Sequence, residues 1–406
     1  MPDNEEIIRL EEVFKIFGPQ PRGRAFDLAK AGVHKNEVQK QSGHVVGLSD
    51  VSFSVKKGEI FVVMGLSGSG KSTAIRTVNK LHDVTSGQVL VDGVDVQQLE
   101  GKELQAFRRE KMGMVFQHFA LFPHRNVIDN VAYGLKVQKV NRSERDAAAM
   151  RALQLVGLQP YADNVPSQLS GGMQQRVGLA RALASDPDIL LMDEAFSALD
   201  PLIRRQMQDE LMAIQSEVHK TILFITHDLN EALRIGDRVC IMKDGVVVQI
   251  GTPEEILTQP ATGYVAEFVQ DVDQGRVIKV EEVMVPAEPI HIETAFDQAL
   301  VALNESAERL VVDDSGKCVG LLTRSDLERV AKQGTQSLQS AVRTDVPVAD
   351  PSQTLNELYA EAGRGLPIAC CDENGLLIGR IDPTAVLEEL GRVEALSDAF
   401  EREVYM

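Results

Sequence analysis

Gly65-Leu66-Ser67-Gly68-Ser69-Gly70-Lys71-Ser72 is spaced to hold phosphate. It fits G-x-x-x-x-G-K-[ST], follows the apolar run EIFVVM and opens the helical pattern STAIRTVNKLH. Glycines let backbone N–H groups turn inward around phosphate oxygens, and a helix start adds partial positive charge. Lys71 supplies a full charge to the β- and γ-phosphates, and the Ser72 hydroxyl can ligate Mg²⁺. A glycine-rich turn before a helix shares the composition, but not the strand, loop and helix in sequence. A second group of residues suits the chemistry on that phosphate. Asp193 and Glu194 end the apolar strand pattern DILLM, where Asp193 can hold Mg²⁺ and Glu194 can act as general base on water. His227 closes another apolar strand, TILFIT, and can reach a γ-phosphate oxygen. Gln117 ends a third, MGMVF, and its amide can reach both Mg²⁺ and water. Ser170-Gly171-Gly172 offers a capped helix start, a second anion-binding tip distinct from the first.

These residues need a scaffold that brings strand ends to one edge. SFSV, EIFVVMG, MGMVFQ, DILLMDE and TILFITH are short, β-rich and apolar. Longer amphipathic stretches such as RSERDAAAMRALQLVGL separate them. That alternation predicts an α/β domain with a buried, largely parallel sheet. Residues 19–43, polar and helix-permissive, interrupt the pattern and read as a surface insertion. After residue 275 the texture changes: VVDDSGKCVGLLTRSDL at 311–327 aligns with ACCDENGLLIGRIDPTA at 369–385. A duplicated helix–strand–turn–strand–helix argues a tandem module with pseudo-two-fold symmetry.

Composition sets the limits. The chain has 406 residues, 44% hydrophobic and 25% charged, with a formal charge of −18. This predicts a globular protein of two or three domains. An acidic chain with no basic patch is not expected to bind nucleic acid. No apolar run approaches the roughly 20 residues of a spanning helix, and MPDNEEIIRL is not a signal peptide. Four cysteines spaced unlike a disulfide or zinc framework suit a reducing cytoplasm. Cys370 and Cys371 are expected to pack as small apolar groups, and His118 and His124 to sit at the surface or on a partner.

Leu169-Ser170-Gly171-Gly172-Met173-Gln174-Gln175-Arg176 resembles the signature motif of ATP-binding-cassette (ABC) ATPases. The phosphate loop, Gln117, the LSGGMQQR run, Asp193-Glu194, Ser197-Ala198-Leu199-Asp200 and His227 follow that family's order. The resemblance implies a P-loop NTPase fold of ABC type with a helical subdomain at about 118–185, and a second copy of the chain. In such a pair, Ser170, Gly171, Gly172 and Gln174 close over ATP held by the partner's Gly65–Thr73. It implies that Gln117 senses Mg²⁺ and contacts a membrane partner, that Asp200 lies at the dimer interface, and that His227 is the switch histidine. Phe17 looks like the aromatic that stacks on adenine. MGLSGSGKST, FALFPHRNV, MDEAFSALDPLIR and the 19–43 insertion are similar to the ATPase subunit of glycine betaine/proline uptake systems. A transmembrane permease, an external binding protein and a place on the cytoplasmic face of the bacterial membrane follow from that resemblance.

The C-terminal repeat resembles a tandem cystathionine-β-synthase (CBS) pair of α+β class, an adenine-nucleotide sensor fold. The expected organisation is a cassette at 1–270, a linker at 271–282, CBS repeats at 283–335 and 336–392, and a tail at 393–406. In the first repeat Thr323 would meet phosphate and Asp326 a ribose; in the second, Asp382 and Ala385 replace them. Regulation by cyclic di-AMP or by ionic strength, or a ligand-free dimerising scaffold, are the alternatives there. Other readings of the whole chain are a soluble ABC ATPase acting on nucleic acid or ribosomes, a nucleotide-sensing module, and an importer of another solute such as an amino acid.

Overall fold

A computed structural model of the chain describes residues 5–117, 119–270, 275, 278–305, 308–334 and 337–386. His118 and the 393–406 tail lie outside the described residues. The chain divides into two compact units, Met1–Val269 and Gln270–Met406.

The first unit holds two sheets. Strands β1 (Glu6–Phe17), β2 (Val45–Lys56), β4 (Ser86–Val91) and β5 (Val94–Asp95) form an antiparallel sheet in the order β2-β1-β4-β5. Along β2 buried and exposed residues largely alternate, so that sheet has one wet face. The other sheet runs β10-β9-β3-β8-β7-β6, with β3 (Ile60–Met64), β6 (Met112–Phe116), β7 (Ile189–Asp193), β8 (Thr221–Thr226), β9 (Arg238–Lys243) and β10 (Val246–Gly251). Every residue of β3, β7 and β8 is buried, which is why those strands read as unbroken apolar runs. Their pairing is parallel, and only β10 runs against its neighbour β9 in this sheet. Register decides function here. Met64 faces Thr226, Asp193 faces Ile225, and Phe116 faces Asp193. Gly65, His227, Glu194 and Gln117 therefore leave the sheet side by side at its carboxyl edge.

Around these sheets lie α1 (Arg24–Lys30), α2 (Lys35–Ser42), α3 (Lys71–Val78), α4 (Gly101–Lys111), α5 (Val127–Val131), α6 (Tyr133–Val137), α7 (Arg142–Leu155), α8 (Gly171–Leu183), α9 (Pro201–Val218), α10 (Leu229–Ile235), α11 (Pro253–Thr258) and α12 (Gly263–Val269). Helices α5 to α8 pack on one another, as expected for a helical subdomain. Side chains of Asn141, Ser170, Asp200 and Asp228 cap the starts of α7, α8, α9 and α10. No helix among the described residues is long and apolar enough to cross a membrane.

The second unit repeats a small design. One sheet joins β11 (Ile290–His291), β12 (Glu308–Val312) and β13 (Cys318–Thr323); the other joins β14 (Val348–Ala349), β15 (Ile368–Cys371) and β16 (Leu377–Ile381). Helices α13 (Val280–Val283), α14 (Phe296–Glu305), α15 (Arg324–Lys332) and α16 (Tyr359–Ala362) complete it. The lead-in segments are exchanged. Val285 pairs with Arg380 of the second repeat, while Arg343 pairs with Leu321 of the first. Ile278 and Val280 are buried with Leu355, Ile368 and Ile381, and Leu338 and Ala341 with Leu322 and Leu327. Ile278 and Val280 thus belong to the core of the second repeat, while Lys279, Glu281 and Glu282 stay exposed, and Leu338 and Ala341 belong to that of the first. Each buried Ile or Val contributes about 1.5–3 kcal/mol to that arrangement. Cys370 and Cys371 are free and buried, packing as apolar groups.

Candidate functional site

The phosphate loop joins buried β3 to α3, and three of its glycines take conformations that disfavour side chains: Gly65 at φ +148°, Gly68 at +78° and Gly70 at +105°. A Cβ on Gly65 would stand 2.2 Å from Met242 O, and one on Gly70 would stand 2.6 Å from Gly47 O. Backbone on both sides leaves no room. Gly65→Ala is therefore expected to cost about 2–4 kcal/mol of stability. A thermal melt indistinguishable from the parent chain would contradict that steric account.

Lys71, 4% exposed, folds back on the loop. Its Nζ donates to Gly65 O at 2.7 Å and Leu66 O at 3.1 Å. Burial pushes its pKa down, and the Glu194 and Asp193 carboxylates pull it back up. The result is a desolvated cation whose fixed partners among the described residues are neutral carbonyls and more distant acids, suited to a strongly anionic ligand.

Asp193 accepts from Ser72 Oγ at 3.1 Å and from Arg76 Nη2 at 3.3 Å. A hydroxyl and a largely buried carboxylate at hydrogen-bond distance are hard oxygen donors, the set Mg²⁺ prefers. Glu194 sits at φ +48°, rare for a side-chain-bearing residue, and its N–H is tied to Ile225 O at 3.1 Å. Its Oε2 lies 3.3 Å from Gln117 Nε2 and 3.5 Å from His227 Nδ1. Gln117 Nε2 also donates to Ser197 Oγ at 3.0 Å, and Ser197 Oγ donates to Glu194 O at 2.9 Å. Leu66, Ser67, Gly68, Gly70, Lys71, Ser72, Thr73, Glu194 and His227 line one cleft of ≈ 470 Å³. A phosphate cradle, a general-base candidate and a histidine thus share one cavity. Gln117 reaches Glu194 and Ser197 in this structure rather than the Ser72–Asp193 pair.

The expected second tip lies at the start of α8. Ser170 Oγ accepts from Met173 N at 3.3 Å, capping α8, and Gln174 Nε2 donates to Leu169 O at 3.1 Å. A Cβ on Gly172 would meet Ile203 of α9 at 2.6 Å, so the helix pair requires glycine. Ser170 and Gly171 are exposed. None of Ser170, Gly171, Gly172 or Gln174 lines the cleft. Asp200 is exposed and caps α9 through Ile203 N at 3.0 Å.

Phe17 is half-buried at the end of β1, edge-on to His82 with centroids 5.3 Å apart. A Cβ on Gly47 would meet both the Phe17 ring at 2.7 Å and Thr73 at 3.3 Å, so the ring stands near the phosphate-loop helix. In the second unit Asp326, 2% exposed, accepts from Thr323 Oγ1 at 2.6 Å, Arg343 Nε at 2.8 Å and Arg329 Nη2 at 3.2 Å. Burial pushes the Asp326 carboxyl up, but those donors together hold it below the ordinary carboxylate range. Thr323 and Asp326 are thus bound to each other. In the second repeat Asp382 pairs with Arg380 at 3.3 Å.

Several partners carried no signal of their own in the sequence. Arg181 of α8 donates to Phe119 O at 3.0 Å and Ala120 O at 2.6 Å, holding the loop after Gln117. Arg204 of α9 grips Ser197 O, Leu199 O and the Asp228 carboxylate beside His227. Arg76 lies one turn after Ser72 on α3, a spacing that could have flagged it.

Comparison with known proteins finds two family profiles and close relatives over most of the chain. The ABC transporter family profile matches residues 48–197 and the CBS domain profile residues 280–332. The glycine betaine/carnitine transport ATP-binding protein of Listeria monocytogenes is 48% identical over 389 residues, covering 94% of this chain and 97% of that protein. The glycine betaine transport ATP-binding protein of Bacillus subtilis is 46% identical, covering 94% and 92%. The glycine betaine/proline betaine transport system ATP-binding protein of Escherichia coli is 44% identical, covering 95% and 98%. A dimeric ATP-binding cassette solved in a post-hydrolysis state with ADP and Pi superposes with a TM-score of 0.51 at 32% identity, covering 61% of this chain and 98% of that one.

Proposed function

This chain belongs to the ABC transporter family, in its group of ATP-binding ATPase subunits with CBS domains, and from that premise we propose that it drives uptake of glycine betaine- or proline betaine-type osmoprotectants. The observation that carries the reading is the single cleft shared by Lys71, Ser72, Glu194 and His227.

The triphosphate of ATP is cradled by the backbone of Gly65–Ser72, with Lys71 turning from its carbonyl partners to the β- and γ-phosphates. Ser72 and Asp193 would hold Mg²⁺, which supplies neutralising charge beside the phosphates. Glu194 accepts the proton of the attacking water, and His227 and Gln117, both against its carboxylate, orient water and base. Phe17, with His82 behind it, offers an aromatic face for adenine. Because the Ser170–Gly172 tip stands outside its own chain's cleft, it serves the cleft of a second copy, and Asp200 lies at that junction. ATP closes the pair and hydrolysis opens it; a transmembrane permease turns that motion into transport of solute delivered by an external binding protein. The subunit sits peripherally on the cytoplasmic face of the membrane.

We propose an adenine nucleotide, cyclic di-AMP being the first candidate, as ligand of the CBS unit, with Thr323 on phosphate and Asp326 on a ribose. Since Asp326 is already held by Arg329 and Arg343, such a ligand must exchange with those contacts. Calorimetric titration of full-length Lys71→Met chain, silenced at the cassette, tests this. Saturable heat with cyclic di-AMP, weakened at least about tenfold by Asp326→Ala, is expected. A flat titration with cyclic di-AMP, AMP and ATP would leave the unit as a dimerising scaffold. For the whole subunit, co-purification with its permease and betaine-stimulated ATP turnover in membranes is the decisive measurement; turnover stimulated by nucleic acid instead would reverse the reading.

A further inference from the structure

The 19–43 insertion does more than cover surface. Helices α1 and α2 have a core of their own, in which Ala25, Ala29 and Val38 pack on Phe14, Ile16 and Val46. Its base is tied down by Arg22 Nε donating to Thr85 O at 2.9 Å and by His44 Nε2 against Pro19 O at 2.6 Å. A segment anchored in this way can hold a side chain in place. The side chain it presents is Lys35, at the first position of α2. Lys35 Nζ donates to Gly68 O of the phosphate loop at 3.0 Å and pairs with Asp244 Oδ1 at 2.7 Å. His34 Nε2 lies 3.4 Å from the other oxygen of the same carboxylate. Asp244 and Gly245 form the turn between β9 and β10, both at positive φ. Gly245 N donates to Ser69 O at 3.0 Å. Two consecutive carbonyls of the loop, Gly68 and Ser69, are therefore gripped by one bracket made of the insertion and this turn. In a trans peptide C=O and N–H point opposite ways. Fixing Ser69 O against the turn thus aims Gly70 N–H the other way.

We propose that the insertion is a clamp on the phosphate loop, in which Lys35, braced by Asp244, is a positioning residue that sets affinity for the nucleoside triphosphate. This rests on the reading of the cleft as the ATP site. Lys35 acts through the loop, so its loss weakens ground-state binding and leaves the Glu194–His227 chemistry in place. The Lys35–Asp244 pair is partly exposed, and Lys35 also serves a backbone acceptor of the phosphate loop, so its loss releases the turn and the loop together.

The experiment uses the full chain and four variants: Lys35→Met, Lys35→Arg, Asp244→Asn and the Lys35→Met/Asp244→Asn double. ATP Kd by calorimetry, KM and kcat are read beside a thermal melt. Lys35→Met should raise Kd and KM roughly three- to tenfold with kcat within about twofold. Lys35→Arg should stay near the parent chain, and the double variant should be no worse than Lys35→Met alone. Parent-like Kd and KM in Lys35→Met would overturn the clamp, as would equal losses in kcat and KM that track a fall in melting temperature. A parent chain that binds no ATP would instead overturn the ATP reading, and the clamp with it.

Discussion

Glu194→Gln should cut steady-state ATP turnover by roughly 10²- to 10³-fold while ATP affinity changes little. The amide keeps the shape of the carboxylate, so the strained backbone at φ +48° and the tie to Ile225 O have no reason to move. What disappears is an acceptor for the proton of water, at a carboxylate within reach of both Gln117 and His227. With the γ-phosphate uncleaved, the two-copy closed form should accumulate. Gel filtration with ATP and Mg²⁺ should then show a species of twice the mass that the parent chain forms only briefly. Undiminished turnover would remove Glu194 as base and shift attention to His227.

Lys71→Met should weaken ATP binding by about a hundredfold or more, because the change strips a buried, desolvated cation from the phosphates. The same variant should fold at least as well as its parent. Lys71 is almost fully buried, its charge costs desolvation, and a methionine of similar length fills the space without that cost. Calorimetry and a thermal melt on one preparation separate the two effects. A melting temperature that collapses together with binding would make Lys71 a structural residue rather than a phosphate ligand.

The chemistry-bearing positions were legible because each follows a local rule. Glycines recur where backbone must approach backbone, as at Gly65 and Gly70, and the apolar stretches ILLM and ILFI inside two strands announce a sheet covered on both faces. Parallel register then forces Glu194, His227 and Gln117 to one edge, so their meeting follows from the order of strands. Contacts that cross long stretches of chain left no such trace. Nothing in KNEVQKQS points Lys35 at Gly68, and nothing near His82 places it on Phe17. The exchanged lead-in segments of the second unit escaped notice for the same reason. A repeat in sequence shows two equal units, but not that each borrows its first residues from the other's flank. The duplicated pattern even hid the buried part of the segment read as a linker.

That exchange has a consequence during synthesis. Ile278 and Val280 leave the ribosome well before Ile368 and Ile381, the side chains that will cover them. At the usual pace of about 5–20 residues per second, the delay of about a hundred residues lasts several seconds. Throughout that wait the two apolar side chains stay uncovered, on the kind of nascent segment a chaperone would shield.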